Sequence, residues 1–280
     1  MPSFTMPTEK TSSTPEPDFY KYAHHRENRD RDGQAMHRMS SLVDSIYACQ
    51  HSGINYASGS WGNTVLRTAY SDESHTLWPV AMDRLKRWVA EYLVHINRLA
   101  IEKLDGSVND ELARRFVLEV VETTELQKFG LFNLSAASQV DIKSLVRIFE
   151  TWRHSAIGTA DVDTRKNPRF CDFLVMDEDS LRSLVALPDE TPHLGPVSRT
   201  ERRARMDLYI DSYVWLVDSR TISRFQGVED GDNYDGWMKL CSDDIYDAWF
   251  EKAGKSDSDY WTFERCEIPE GSGIKWYRAR

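Results

Sequence analysis

The chain has no glycine-rich phosphate loop, no paired cysteines, no long apolar run and no excess of positive charge. Each absence removes a class of function. Only 14 of the 280 residues are glycine. Neither G-x-G-x-x-G nor a P-loop occurs, and Gly271-Ser272-Gly273 reads as ordinary turn chemistry, so dinucleotide and nucleotide cradles are excluded. No G-x-S-x-G elbow is present either; Gly59-Ser60-Trp61-Gly62 is one residue out of register. The four cysteines, Cys49, Cys171, Cys241 and Cys266, are far apart and form no C-x-x-C pair, which argues against a zinc knuckle or a thioredoxin-type motif. Eight histidines include the adjacent pair His24-His25, but no H-E-x-x-H helix or carboxylate-histidine facial spacing. The expectation is therefore no metal and no cofactor.

No apolar stretch has the length of a signal-peptide core or a membrane span. That points to a cytoplasmic protein with reduced thiols, a nuclear one being the alternative, and it excludes the membrane as a partner. Without a secretory route, the sequon Asn133-Leu134-Ser135 is read as coincidence. Acidic side chains number 45 against 35 basic ones, a formal net charge of -10, which repels phosphate backbones and excludes nucleic acid as the expected partner.

What is there supports a folded core. Apolar residues make up 40% and aromatic residues 11% of the chain, with nine tryptophans, enough to bury against one another. Residues 1–34 are the exception: rich in Pro, Ser, Thr and charge, they read as a disordered tail. Met36, Met39, Leu42, Val43, Ile46 and Tyr47 then recur at helical spacing, so residues 35–60 read as a short amphipathic helix and a linker. Trp61 to Tyr70, WGNTVLRTAY, reads as the first strand of a domain spanning 61–253. Thr64, Leu66, Thr68 and Tyr70 share one face of it, and Val65, Arg67 and Ala69 the other.

A long helix follows, with Leu77, Ala81, Leu85, Trp88, Val89, Tyr92, Leu93, Ile96 and Leu99 on one stripe. Pro79 favours a start at Ser74, so that it falls in the first turn. FVLEVVE, 116–122, reads as a strand, and Ile142, Leu145, Val146 and Phe149 as a helix capped by Ser138. PRFCDFLVMD reads as a strand with Phe170, Asp172, Leu174 and Met176 on one face. Asp177 to Ser180 opens a further helix that Pro188 ends. LYIDSYVWLVD, 208–218, and Trp237 to Leu240 are strands, and 243–252 a helix. Residues 254–280 form a C-terminal extension that packs on the domain. Two β-α-β units in succession give the expected fold: an α+β, ferredoxin-like sandwich with helices on one sheet face. A doubly wound sheet is the competing architecture.

The succession W-G-x-x-V-x-R-T-x-Y (61–70), an acidic turn then a tryptophan (72–78), P-R-F with D-E-x-x-L-R-S (168–183), Y-V-x-L-V-D (213–218) and G-W-M (236–238) resembles an expanded family of filamentous-fungal proteins. This chain departs from the family pattern at Asn63, where an aromatic is common, and at Asp179, which extends the usual Asp-Glu pair. The resemblance implies a fungal origin and continuity of fold. The family lacks an established activity, so no catalytic residues carry over.

Arg67 is the residue with the most chemistry. It is too costly to bury alone, so it either faces solvent or pairs with a carboxylate, and Asp172 and Asp218 on other predicted strands are the candidate ion-pair partners. As a ligand anchor it would act with Tyr70, Trp215 and Trp237 on an open sheet face, binding a planar acidic molecule. The acidic turn from Glu229 to Gly236 fails as a calcium loop, because a loop opening at Asp230 would put Asp235 at the glycine position and Cys241 at that of the bidentate glutamate. The basic run Arg199, Arg202, Arg203 and Arg205 is flanked by acidic residues and reads as a solvated loop, an import signal being its alternative. The functional expectation is a non-catalytic binding or accessory protein, whose partner is a protein or a small molecule. The alternative is a cofactor-independent enzyme of specialised metabolism acting on an aromatic or polyketide-like molecule.

Overall fold

A computed structural model describes residues 42, 60–100, 112–128, 133–158, 167–189, 198, 200, 204, 211–224, 236–253, 266–268 and 274–277. The tail before residue 35, the arginine run and the acidic turn lie outside these residues, apart from Thr200, Ala204 and Gly236. Of the expected N-terminal helix, Leu42 is described; it is helical and fully buried in the core.

Short apolar strands alternate with amphipathic helices. Strand β1 (Thr64–Arg67) leads into α1 (Asp72–Ala100), then β2 (Glu119–Val121) and the short α2 (Thr124–Gln127). Next come α3 (Gln139–Ile157), β3 (Asp172–Met176), α4 (Glu178–Val185), β4 (Tyr213–Asp218) and α5 (Ser219–Arg224). The chain continues through β5 (Trp237–Cys241), α6 (Ile245–Lys252), β6 (Cys266–Glu267) and β7 (Trp276–Tyr277).

The strands form a seven-stranded sheet in the order β2-β1-β3-β4-β5-β7-β6. β1 runs parallel to both β2 and β3, β4 is antiparallel to β3 and β5, and β7 runs parallel to β5. The C-terminal extension thus completes the sheet. Mixed α and β structure is as the sequence reads, but the ferredoxin-like arrangement is not what the strands adopt. A ferredoxin-like sandwich leaves one face of its sheet free of helices; here both are covered. On one face α1, α4 and α6 pack through Ala81, Leu85, Trp88, Leu181, Leu184 and Trp249 against Val65, Leu174, Leu216 and Leu240. On the other, α3 packs Ile142, Leu145, Phe149 and Trp152 against Leu66, Phe173 and Val175. Strands buried on both sides need apolar side chains in both directions, and FLVM in β3 and YVWLV in β4 supply them.

Local signals set the helix starts. The Ser138 hydroxyl and the Asp141 carboxylate cap α3 reciprocally, and Asp177 caps α4 by accepting from Ser180 N–H. α1 differs from expectation. It begins at Asp72, two residues earlier than the proline suggests, and Pro79 lies inside it. Its first turn is held by Ser71, whose Oγ accepts from Ser74 N–H at 3.0 Å, and carries Asp72 and Glu73 at the positive end of the helix.

Candidate functional site

β1 feeds a helix on one face of the sheet, whereas the chain leaving β2 passes to α3 on the other. Adjacent parallel strands whose connections diverge leave a crevice outside their carboxyl ends, the place where open α/β sheets bind ligands. Arg67, the last residue of β1, and Glu122, the first after β2, meet there, with Nη1 donating to Oε1 at 2.9 Å. The Arg67 side chain is 8% exposed and that of Glu122 50%. Arg67 Nε donates to the Ala69 carbonyl at 2.9 Å, and Nη2 lies 3.0 Å from His75 Nδ1. A guanidinium only donates, so His75 Nδ1 accepts and the ring proton of the neutral imidazole sits on Nε2. The guanidinium carbon is 4.9 Å from the Tyr70 ring centre and 4.6 Å from that of Trp78. Ring faces attract such a cation and replace part of its lost hydration.

Two further enclosed polar groups lie beside this cluster. The Tyr70 hydroxyl is shielded from solvent and has no hydrogen-bond partner among the described residues. Burial, with the charge of Glu122 added, raises its pKa well above the usual phenol value, so it stays protonated. Glu178, at the start of α4, accepts from Ser71 N–H at 3.3 Å through Oε1, and its Oε2 is enclosed without a donor among the described residues.

The structure brings Arg67 and Tyr70 together as expected, and Tyr70 packs in the cluster of Trp215 and Trp237, but Arg67 is separated from both tryptophans. Register decides this. Leu66 pairs with Val175 and Val175 with Trp215, while Phe173 pairs with Val217 and Val217 with Trp237. Both tryptophans therefore take the Leu66 side of the sheet, and Arg67 takes the other with Val65. Trp215 is buried there and donates its indole N–H to Asp177 Oδ2 at 2.9 Å. Trp78 and His75 stand in their place beside Arg67. Their signal was the three-residue spacing on α1, which puts both side chains on one helical face just beyond the strand end.

Asp172 and Asp218 are not the partners of Arg67. They share its face but lie at the opposite end of the sheet, since Arg67 pairs with Met176, four residues or roughly 13 Å along β3. There they face each other across β3 and β4, 1% exposed each. Asp218 accepts from Lys252 Nζ at 3.1 Å, from Thr221 N–H at 3.0 Å and from Thr221 Oγ1 at 2.9 Å. Burial opposes its charge, but Lys252, Arg220 and the Thr221 bond outweigh it and hold the pKa below the usual range. Asp172 has no hydrogen-bond donor among the described residues on either oxygen. Burial, then the charge of Asp218, pushes its pKa up to about 7. The arrangement is an unequal, buried carboxyl pair in which Asp218 holds Lys252 and Asp172 favours its proton.

A second buried acid, Glu119, lies 3.8 Å from Arg169 and is pushed up to about 7 by burial, which outweighs the arginine. Cys241, Asp243 and Asp244 place three donor atoms within 4.8 Å of one another. All three interact with other groups of the protein, and we assign no metal to them. Among the described residues, no helix is long and apolar enough to cross a membrane.

Compared with protein-family models, curated proteins and solved structures, the chain matches none.

Proposed function

We propose that the chain is a cytoplasmic, non-catalytic binding protein of the fungal kind its motifs resemble, and that it takes a planar acidic small molecule at the carboxyl ends of β1 and β2. The observation that carries this is the Arg67 guanidinium, fixed between the Tyr70 and Trp78 rings and matched, among the described residues, by one half-exposed carboxylate. A ligand carboxylate suits the planar fork of arginine and would replace that of Glu122. Releasing an exposed ion-pair partner to water costs only about 0–1 kcal/mol. The ligand's ring body would lie against half-buried Trp78. The enzyme reading draws on His75, whose Nε2–H faces away from Arg67, and on the Tyr70 hydroxyl.

Titration with naphthalene-2-carboxylate, followed by tryptophan fluorescence and calorimetry, tests the proposal. Glu122→Gln removes the competing charge and should tighten binding by about tenfold, the equivalent of one charge-assisted hydrogen bond. Arg67→Met should abolish it. Failure of both the native chain and Glu122→Gln to bind would end the proposal. Turnover of the added ligand, seen by mass spectrometry, would move the protein into the enzyme class.

A further inference from the structure

The sheet face away from Arg67 carries a second, independent site. Lys239, in the middle of β5, pairs with Trp215 on β4 and with Trp276 on β7, so its side chain rises between two indoles. Its Nζ is 3.8 Å from the ring centre of Tyr213, 5.4 Å from Trp215 and 5.2 Å from Trp276. The side chain is half-buried, and no carboxylate or carbonyl accepts from it among the described residues. Of the acidic groups around it, Asp177 is engaged by Trp215, Leu134 and Ser180, and Asp179 by Asn133 and Arg182. They and Asp211 act on Lys239 through space. Burial outweighs their charges and lowers its pKa below the usual lysine value.

An amine half-shielded from water, with no hydrogen-bonded counter-ion among the described residues and set among rings, is the setting in which lysine becomes a nucleophile. We propose that Lys239 is a carbonyl-reactive residue that condenses with an aldehyde or ketone bearing an aromatic or apolar body. The Nζ lone pair forms the C–N bond as the carbonyl π pair moves to oxygen. Nitrogen gives up its two protons, that oxygen takes up two and leaves as water, and the C=N bond closes, so amine and carbonyl give imine and water with no oxidant or reductant. The three rings, 1–7% exposed, hold the amine in place. They, with the surrounding carboxylates, also stabilise the iminium formed when the imine takes a proton.

The test uses the full chain with 2-naphthaldehyde and sodium cyanoborohydride at neutral pH, followed by peptide mapping. Lys86 and Lys143, both exposed on helices, serve as internal references. Lys239 should be alkylated about tenfold faster than either, as a depressed-pKa amine in an apolar setting requires. The preference should vanish in urea, where the rings no longer surround it, and Lys239→Arg should remove that adduct while sparing the references. Labelling of Lys239 at or below the rate of Lys86 and Lys143 would overturn the assignment. So would a preference that survives unfolding, which would trace it to local sequence instead of the site.

Discussion

Lys252→Met is expected to lower stability at pH 8 by about 3–5 kcal/mol, the cost of leaving a buried carboxylate without its ion partner. In a chain of this size that lowers the thermal midpoint by roughly 8–15 °C. The lysine is 3% and Asp218 1% exposed, so water cannot take its place. At pH 5 the loss should be smaller, because the Asp172–Asp218 pair can take up a proton when the ammonium is gone. Asp172→Asn should act in the opposite direction. The folded pKa of Asp172, about 7, lies above the unfolded value of about 3.9. Between those values the folded chain holds the extra proton, so stability falls as pH rises from about 4 to about 7 and then levels. Glu119, raised in the same way, adds to the fall. Asp218, held low, contributes stability above its unfolded pKa that is lost only in stronger acid. Asp172→Asn should therefore gain on the native chain between pH 5 and pH 8 by on the order of 2 kcal/mol. Urea titrations at both pH values check this, and an unchanged gap between the two proteins would refute the protonated state assigned to Asp172.

Gly62→Ala is expected to cost about 3 kcal/mol or more, combining left-handed backbone strain with a clash that cannot relax. Gly62 has φ +117°, and a Cβ there would stand 2.4 Å from the Val117 carbonyl oxygen. Neither segment can yield. Val117 N–H donates to the Trp61 carbonyl at 2.9 Å, and Trp249 donates its indole N–H to the Gly62 carbonyl at 3.1 Å. Trp61 itself is wedged among Phe116, Tyr246, Trp249 and Phe250. Gly158→Ala provides the control: at φ +66° and ψ −147° it lies in backbone space essentially confined to glycine, but nothing is within 4 Å of the added atom, so only the conformational cost of about 1–3 kcal/mol applies. Chemical denaturation of the two variants separates the terms. Equal losses would show that the contact at Val117 gives way.

The residues around Arg67 show how far local pattern reaches. Alternation along WGNTVLRTAY placed Val65, Arg67 and Ala69 on one face, and the need of a buried guanidinium for a carboxylate was legible from its chemistry alone. The identity of that carboxylate was not. Glu122 comes 55 residues later and meets Arg67 only because β2 lies parallel to β1 in a given register. Asp172 and Asp218 looked suitable because they sit in other strands of the sheet, but position along a strand is invisible until the pairing is known. Lys239 had no local mark at all. Its setting arises from two strands, one before it in the chain and one after, that bring Trp215 and Trp276 to either side.

The sequence by itself determined the longer helices, the caps at Ser138 and Asp177, the positions of β1 to β5 and the alternation within each strand, because those follow from short-range periodicity and from side chains reaching their own backbone. It also carried a clue to sheet burial in the unbroken apolar runs of β3 and β4. Tertiary structure alone decided strand order and direction, the covering of both sheet faces, and the partners of every buried charge. Those depend on which strands meet and in what register, and side chains tens of residues apart contribute to that choice only once the sheet has formed.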